Sequence, residues 1–373
     1  MKVRNVKNKE ELAVIEQSPE EREAAREAER LKRRRKARRK TAGRIIDRIF
    51  GFFLATGIVF GLAGLGLEYV LIKGPSPALK ETFVMTMLET RRFTFIPNIF
   101  LTEEEVEEIR SRNVRELDSE QDLSMIHIPD TSEEPDGVPG ADAYGLIDED
   151  GDGIIYEDIM GPGYVGYMLT ILDPTRVFVG MPDGYGGVGL TLEEMCQKYD
   201  AIGGINAGGF VDDGGSGLGG LPQGLTIIDG VCYNQSGSDS VVGLDANGIL
   251  QVGYYTLEDA ESLGIVSGVS FSPVLIYNGE AMEVSSSGVN PRTAIAQRAD
   301  GAIMMLVIDG RQVHSIGASY TDVINILLDH GAINAINLDG GSSTTMYYNG
   351  AYVNKCSSAN GIARPLPDAF LFR

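Results

Sequence analysis

A continuous apolar stretch directly after a dense basic segment constrains this chain more than any other feature. Residues 49–67 contain no charged side chain. A run of this length suits one crossing of a hydrocarbon core about 30 Å thick. Residues 69–72 can extend the span up to Lys73. Because the run is apolar on every face, a buried helix of a globular core is disfavoured, and we predict a single transmembrane helix over residues 49–72.

The charge that precedes this span predicts its orientation. Residues 1–48 carry 17 Lys and Arg against 9 Asp and Glu, and ten of the basic residues lie within 31–48. The positive-inside rule places such a segment in the cytoplasm, so residues 74–373 should lie outside the cell. A cleavable signal peptide is the alternative, but the charged segment is too long for one. We expect a single-pass signal anchor in the cell membrane with a cytoplasmic N-terminus.

The rest of the chain is strongly acidic, with 15 Lys and Arg against 44 Asp and Glu. A body of this charge argues against a nucleic-acid partner. The three cysteines contain no C-x-x-C pair and the three histidines are scattered, so neither set predicts a zinc site. A single anchor and an acidic extracellular body fit a Gram-positive bacterium.

Small residues within the apolar run could allow two helices to pair. Gly57 and Gly61 form a G-x-x-x-G pattern, which lets helix backbones approach closely in a membrane. The same pattern arises by chance in glycine-rich spans. A homodimer through the membrane helix is therefore one alternative and an unpaired helix the other.

Composition divides the chain into four predicted parts. They are a basic cytoplasmic tail (1–48), the transmembrane anchor (49–72), a stalk with a short helix (73–135) and a globular domain (136–373). The stalk helix follows Thr102, with acidic residues in its first turn and basic ones in its last, as the helix dipole favours.

The globular domain has the pattern of an α+β fold. Short β-type runs alternate with glycine turns from 164 to 310, and one helix at 191–199 interrupts them. Residues 300–354 then follow the order strand, helix, strand, hairpin. This order predicts a mixed sheet that contains a βαβ unit and hairpins.

A predicted hairpin brings an arginine towards a carboxylate. Two runs of β-type residues flank Asp300 and Gly301, a dipeptide that favours a two-residue type I′ turn. Such a turn places Arg292 directly opposite Asp309, on the same face and at the same end of the sheet. The pair could be a plain salt bridge or part of a site.

Two apolar runs that each end in Asp-Gly flank a predicted helix at 321–331, which Thr321 or Asp322 could cap. A βαβ unit makes its strands parallel, so Asp309 and Asp339 should lie at the same edge, where open α/β sheets bind ligands. Neighbouring strands lie about 4.8 Å apart, which puts the two carboxylates roughly 5–10 Å from each other. Paired acids at such a spacing suit glycosidic cleavage, although Asp-Gly is also common turn chemistry.

Groups suited to an anion surround these two acids. Backbone N–H groups of a Gly/Ser loop after Asp339 could cradle a phosphate oxygen, and two guanidinium groups add planar donors. Asn206, at the predicted end of a strand, could offer its side-chain amide to a sugar hydroxyl. The predicted binding residues are Asn206, Arg292, Arg311, Gly340, Gly341, Ser342 and Ser343.

An acidic loop ahead of the first strand resembles the start of a calcium-binding loop. Asp148, Asp150 and Asp152, followed by Gly153, fit the D-x-D-x-D-G pattern. The twelfth position holds Ile159, where a bidentate Glu belongs. The loop is therefore either a Ca²⁺ site or an acidic turn.

Taken together, several blocks resemble the phosphodiester glycosidase family. They are INAGGF (205–210), PQG (222–224), NPRTAIAQ (290–297), VIDGR (307–311), AINLDGGSSTTMYYNG (335–350) and ARPLPDAFLF (363–372). The resemblance covers roughly 160–373 and implies hydrolysis of a sugar-1-phosphodiester, such as one of N-acetylglucosamine, without a required cofactor. We expect Asp309 or Asp339 to act as the general acid or the nucleophile, and Arg292 with the Gly/Ser loop to hold the phosphate.

Three functions follow from these observations. The first is a surface hydrolase of sugar phosphodiesters in envelope polymers or exopolysaccharide. The second is a non-catalytic surface protein that binds anionic glycans, which would need the arginine but neither carboxylate. The third is a metal-dependent phosphodiesterase that cleaves the P–O bond on the other side of the phosphate.

Overall fold

The structure, a computed structural model, describes residues 19–89, 95–111, 117, 120–129, 142, 144–211, 218–234, 239–284, 288–358 and 360–373. The end of the predicted stalk and the first part of the predicted cytoplasmic tail lie outside these ranges. Contacts divide the chain into two compact units, residues 1–70 and 71–373.

Within the described residues, a single helix contains a segment that could cross a membrane. Arg48–Lys73 is long and apolar enough by length and composition, with a mean hydropathy of 2.0. This is the span predicted at 49–72. The helices are α1 (Pro19–Lys73), α2 (Pro77–Glu89), α3 (Glu103–Ser111), α4 (Leu192–Tyr199), α5 (Leu257–Ser262) and α6 (Tyr320–Asp329).

The strands form three sheets, which confirms the predicted α+β class. The strands are β1 (Ile154–Gly161), β2 (Tyr164–Ile171), β3 (Val177–Gly180), β4 (Gly203–Asn206), β5 (Thr226–Ile228), β6 (Val231–Asn234), β7 (Asp239–Asp245), β8 (Leu250–Tyr255), β9 (Ile265–Ser270), β10 (Val274–Tyr277), β11 (Glu280–Ala281), β12 (Arg292–Arg298), β13 (Ile303–Ile308), β14 (Ala332–Leu338), β15 (Met346–Tyr348), β16 (Ala351–Tyr352) and β17 (Ala369–Phe372). The seven-stranded sheet has the order β1-β2-β13-β12-β14-β10-β11, and the five-stranded sheets have the orders β16-β15-β4-β17-β3 and β6-β5-β9-β7-β8.

The predicted βαβ unit is present, but another strand splits it. β12 pairs antiparallel with β13 on one side and with β14 on the other. β13 and β14 are therefore parallel to each other with β12 between them, and α6 connects them along the chain. Both strands end at the same edge of the sheet, as predicted, so Asp309 and Asp339 leave the sheet on the same side.

The register of the β12–β13 hairpin differs from the prediction. Arg292 pairs with Ile308 rather than with Asp309. The turn consists of residues 299–301 and is therefore one residue longer than a type I′ turn. Its last residue, Gly301, has a φ of +87°, a left-handed conformation that favours glycine.

A three-residue turn reverses which side chains share a face of the hairpin. Arg298 donates its N–H to the carbonyl of Ala302 at 3.0 Å, and its carbonyl accepts from the N–H of Gly301 at 3.1 Å. Because side chains alternate along a strand, a shift of one residue moves a side chain to the opposite face. Arg292 therefore lies on the same face as Ile308, and Asp309 faces the other way. The predicted pairing of Arg292 with Asp309 is wrong.

Short capping motifs define the helices of the domain. α6 begins after Ser319, whose hydroxyl accepts from the N–H of Asp322 at 3.2 Å while the Asp322 carboxylate accepts from the N–H of Ser319 at 2.8 Å. The cap is thus Ser319, and not Thr321 or Asp322 as predicted. A second capping box, Thr256 with Asp259, begins α5, a helix that the strand-and-turn interpretation of 164–310 missed.

The central strands β12 and β13 of the seven-stranded sheet are buried on both faces. Val307 of β13 packs in a core shared with the other two sheets, to which Ile205 and Val242 belong. Leu306, its neighbour in sequence, packs instead with Leu327 of α6. Burying each such side chain contributes roughly 1.5–3 kcal/mol. Two apolar faces explain why β13 is continuously apolar instead of alternating.

Part of the predicted stalk lies against the domain. The side-chain amide of Gln121 donates to the carbonyl of Leu250 at 2.8 Å, and its oxygen accepts from the N–H of Val252 at 2.8 Å. Gln121 thus extends the edge of β8 through its side chain rather than as part of a strand. The domain boundaries at 73, 135 and 136 stay a prediction.

Candidate active site

Asp309 directly follows β13, and its side chain is wholly buried. Its Oδ2 lies 2.8 Å from Nε2 of His314. Its Oδ1 accepts from Nδ2 of Asn354 and from the backbone N–H of Lys355, both at 3.1 Å. A carboxylate enclosed in this way does not reach the surface of the domain. The structure therefore places Asp309 behind His314, where it can orient the imidazole but not contact a substrate.

His314 is the group of this pair that meets solvent. Its side chain is 35% exposed, while that of Asp309 is 0% exposed. A buried carboxylate bound to one ring nitrogen fixes the orientation of an imidazole, which suits proton transfer. The sequence analysis considered histidines only as zinc ligands and missed this role. The available signal was the position of His314 in the loop that begins at Asp309.

Asp339 lies at the end of β14 and is half-buried. Its backbone N–H donates to the carbonyl of Ala207 at 3.0 Å, and its carbonyl accepts from the side-chain amide of Asn206. These contacts join the end of β14 to the end of β4. Of the two predicted catalytic acids, Asp339 is the one with exposed surface.

Asn206 is fully buried and uses its amide within the protein. Its Oδ1 accepts from Oγ1 of Thr293 at 2.9 Å and from the N–H of Thr345 at 3.0 Å, while its Nδ2 binds the carbonyl of Asp339. The side chain thus links three segments beneath the site. It positions Asp339. The sequence analysis expected this side chain to contact a sugar hydroxyl instead.

Arg292 is also buried, with 4% of its surface exposed. Its Nε donates to the carbonyl of Ala318 at 3.1 Å, its Nη2 donates to the carbonyl of Gly288 at 2.5 Å, and its guanidinium lies 4.0 Å from the ring centre of Tyr320. Arg292 therefore braces the loops beside α6. This placement does not support the predicted contact with a phosphate.

Two of the N–H groups predicted to cradle an anion after Asp339 bind backbone carbonyls of the protein, and the cradle stays a prediction. The N–H of Gly341 donates to the carbonyl of Pro291 at 3.1 Å, and that of Ser343 donates to the carbonyl of Gly340 at 3.1 Å. A Cβ on Gly340 would lie 2.8 Å from the Pro291 carbonyl oxygen, and Gly341 has a φ of +64°. The two glycines are needed for this close approach between loops.

Two guanidinium groups lie close to the segment Gly341–Ser342. Nη1 of Arg311 lies 3.2 Å from the point that a Cβ on Gly341 would occupy. Nη1 of Arg364 donates to Oγ of Ser342 at 3.3 Å, and its guanidinium lies 4.6 Å from the ring centre of Phe210. Planar, charged donors of this kind suit a phosphate group. The sequence analysis predicted Arg311 as a binding residue. It missed Arg364, which lies far along the chain in the block at 363–372.

A third carboxyl group lies beside Asp339. Asp368 precedes β17, is 1% exposed, and accepts from the N–H of Gly208 at 2.6 Å. Burial raises the pKa of Asp368 to about 7, with a smaller raising contribution from the charge of Asp339 that opposes the lowering effect of the Gly208 hydrogen bond. The sequence analysis did not single out this residue, although it lies within the block at 363–372.

The acidic loop at 148–152 is compact. One carboxylate oxygen from each of Asp148, Asp150 and Asp152 lies within 4.8 Å of the others. Asp148 already accepts from the N–H of Gly151 at 2.9 Å and from that of Gly153 at 2.8 Å. The strand β1 follows the loop, where an EF-hand would have a helix. Oxygen ligands suit Ca²⁺, and calcium binding here stays a prediction.

Known proteins resemble the part of the chain that contains this site. A model of the phosphodiester glycosidase family matches residues 199–373. The prophage-derived protein YomE of Bacillus subtilis is 29% identical over 211 residues, which cover 53% of this chain and 31% of that protein. The human N-acetylglucosamine-1-phosphodiester alpha-N-acetylglucosaminidase is 29% identical over 215 residues, which cover 50% of this chain and 40% of that enzyme. The chain thus spans less than half the length of these relatives.

A solved structure shares the fold. The catalytic domain of the zebrafish N-acetylglucosamine-1-phosphodiester alpha-N-acetylglucosaminidase, auto-inhibited by its pro-peptide, aligns with a TM-score of 0.50 and 24% identity. The alignment covers 59% of this chain and 82% of that domain. Asp309, His314, Asp339, Arg364 and Asp368 all lie within the matched residues 199–373. Residues 199–373 of this chain are thus similar to the phosphodiester glycosidase family.

Proposed function

We propose that the domain hydrolyses sugar-1-phosphodiesters and releases a free sugar and a phosphomonoester. The observation that carries this proposal is the position of Arg311 and Arg364 close to Gly341 and Ser342, shortly after Asp339. Guanidinium groups would bind the phosphate, and a half-buried carboxylate would lie beside the anomeric carbon. The names of the human and zebrafish relatives support N-acetylglucosamine as the sugar.

The side chains divide the reaction between them. Arg311 and Arg364 hold the phosphate while the bond between C1 and the phosphate oxygen breaks. Asp339 acts at C1, either as the nucleophile or as the base that deprotonates water. His314, oriented by Asp309, moves a proton. Water supplies the new hydroxyl on C1, and its remaining proton goes to the solvent or to the phosphomonoester.

Product analysis with the full-length protein in detergent tests this proposal. The probe is the nitrophenyl phosphodiester of N-acetylglucosamine-1-phosphate, with and without EDTA. We expect N-acetylglucosamine and nitrophenyl phosphate in both arms. Sugar-1-phosphate and nitrophenol, formed only without EDTA, would indicate a metal-dependent phosphodiesterase. Binding without turnover, unchanged in Asp339→Asn, would indicate a glycan-binding protein.

The cellular setting is part of the same proposal. The segment Arg48–Lys73 would anchor the chain, with the basic residues before it in the cytoplasm and residues 74–373 outside a Gram-positive cell. The substrates would then be envelope polymers or exopolysaccharide. Protease added to intact cells should digest the domain and spare the N-terminal tail. Protection of the domain would contradict this orientation.

Pairing of the anchor remains a separate proposal. Gly57 and Gly61 are exposed on α1, and nothing lies within 4 Å of a Cβ built on either glycine. A second copy of the helix could therefore approach this face closely. Gly57→Ile should abolish cross-linking between copies in detergent. Equal cross-linking of Gly57→Ile and the unaltered chain would contradict a dimer through this face.

A further inference from the structure

Asp368 is a buried carboxyl group that has no role in the proposed reaction. Its Oδ1 accepts from the N–H of Gly208 at 2.6 Å. Among the described residues, no donor lies within hydrogen-bond distance of its Oδ2, which is buried. A Cβ on Gly208 would lie 3.0 Å from Oδ1 and 3.1 Å from Oδ2, so glycine leaves the space that the carboxyl group fills.

A short backbone segment joins Asp368 to Asp339. Asn206 pairs with Ala369, the residue after Asp368, and its amide binds the carbonyl of Asp339. The carbonyl of Ala207 accepts from the N–H of Asp339, and the N–H of Gly208 donates to the carboxyl group of Asp368. The two carboxyl groups therefore flank one three-residue segment, at the meeting point of β4, β14 and β17.

The two carboxyl groups differ in their surroundings. Asp339 is half-buried and can keep its charge in contact with water, whereas Asp368 is 1% exposed. An ionised Asp368 would be a buried charge with a single hydrogen bond among the described residues, which is unfavourable. Neighbouring carboxyl groups also resist carrying charge at the same time. The proton therefore belongs on Asp368 and the charge on Asp339.

We propose that Asp368 is a positioning residue of the active site, a buried carboxyl group that keeps its proton beside an ionised Asp339. The proposal rests on the proposed function, because hydrolysis needs Asp339 in its charged form. A neutral Asp368 keeps the site free of a second negative charge beside Asp339. Its effect on the reaction passes through Asp339 and not through contact with the substrate.

The protonation of Asp368 links stability to pH. Burial, together with the charge of Asp339 at the end of β14, raises its pKa to about 7. The loop after β4 contributes the backbone of Ala207 and Gly208 at this point. In the unfolded chain an Asp titrates near pH ~3.9. Stability from Asp368 is therefore fully present below that pH and is lost as the pH rises through its folded pKa.

Thermal unfolding of the full-length protein in detergent tests the protonation without reference to activity. Asp368→Asn mimics the protonated form, and Asp329→Asn, on the exposed end of α6, is the matched control. Relative to the unaltered chain, the Tm of Asp368→Asn should rise between about pH 4 and about pH 7 and then level off, while that of the control should not change in this way. Asp339→Asn should move the fall in stability to lower pH. A constant Tm difference for Asp368→Asn would overturn the proposal.

The pH dependence of hydrolysis tests the positioning role. The kcat of the unaltered enzyme should fall as Asp368 loses its proton, and Asp368→Asn should move that fall to higher pH. An unchanged profile in Asp368→Asn would overturn the role. If the chain shows no hydrolysis, the proposed function fails, and the Tm series still decides whether Asp368 keeps a proton.

Infrared spectroscopy of the unaltered protein gives a second measurement that needs no variant. Surface carboxyl groups are ionised at about pH 6, so a protonated carboxyl band at this pH would come from a group such as Asp368. We expect this band to disappear by about pH 9. Its absence at about pH 6 would overturn the proposal even if Asp368→Asn fails to fold.

Discussion

The imidazole of His314 lies 2.8 Å from the carboxylate of Asp309, and only the imidazole is exposed. The side chain of Asn354 and the backbone of Lys355 complete the enclosure of the carboxylate. Asp309 thus holds a proton-transfer group in a fixed orientation. The same edge of the sheet carries Asp339, so both strand ends of the split βαβ unit contribute to the proposed reaction.

Loss of either member of this pair should slow hydrolysis. We expect His314→Gln and Asp309→Asn each to lower kcat by roughly 10²–10⁴-fold, because each removes an oriented proton-transfer group. The double variant should be no slower than the worse single variant, since the two residues act as a unit. His330→Gln, at the other end of α6, is the matched control. Full kcat in a folded His314→Gln would contradict this role.

The two guanidinium groups should govern substrate binding. Removing a hydrogen bond to a charged group costs about 1.5–3 kcal/mol, so Arg364→Gln and Arg311→Gln should each raise KM by roughly 10–100-fold. Arg364→Lys keeps the charge but loses the planar fork, and should recover only part of the affinity. Competition by inorganic phosphate should weaken in parallel. An unchanged KM in both Gln variants would remove the phosphate site from this loop.

Arg292 should matter for stability and not for substrate binding. Arg292→Met leaves the carbonyls of Ala318 and Gly288 without this donor, at a cost of roughly 1–3 kcal/mol each. We expect a lower Tm with a KM close to that of the unaltered enzyme. A normal Tm with a strongly raised KM would instead restore Arg292 as a phosphate ligand.

Calcium at the acidic loop would appear as a change in stability. A ligand present at about 100 times its Kd stabilises the folded state by about 2.7 kcal/mol, so Ca²⁺ should raise the Tm and EDTA should reverse the change. Asp150→Asn should reduce the response, because Asp150 is one of the three clustered carboxylates. No Tm response to millimolar Ca²⁺ would leave the loop as an acidic turn.

The sequence predicted the edge of the sheet at which the site lies. Two apolar runs ending in Asp-Gly, with a helix between them, are enough to make β13 and β14 parallel and to bring Asp309 and Asp339 to one side. Local patterns could not show that β12 lies between them. They also could not show a three-residue turn, which moves Arg292 to the face of α6.

The partners of the site residues come from distant parts of the chain. Asp309 is enclosed by Asn354, which lies 45 residues later, and Asp339 is joined to Asn206, which lies 133 residues earlier. No spacing rule connects such positions. Such long-range contacts decide whether an arginine is exposed to solvent or binds the backbone of a loop. For this reason the sequence predicted Arg292 as a ligand and missed Arg364.

The measurement that tests the central claim most directly is the position of ¹⁸O after hydrolysis in labelled water. The full-length protein in detergent would act on the nitrophenyl phosphodiester of N-acetylglucosamine-1-phosphate, with Asp339→Asn as the inactive control and Asp329→Asn as the active one. We predict the label on C1 of the released sugar and none in the phosphomonoester. Label in the phosphate, or equal turnover by Asp339→Asn, would contradict glycosidic cleavage at this edge of the sheet.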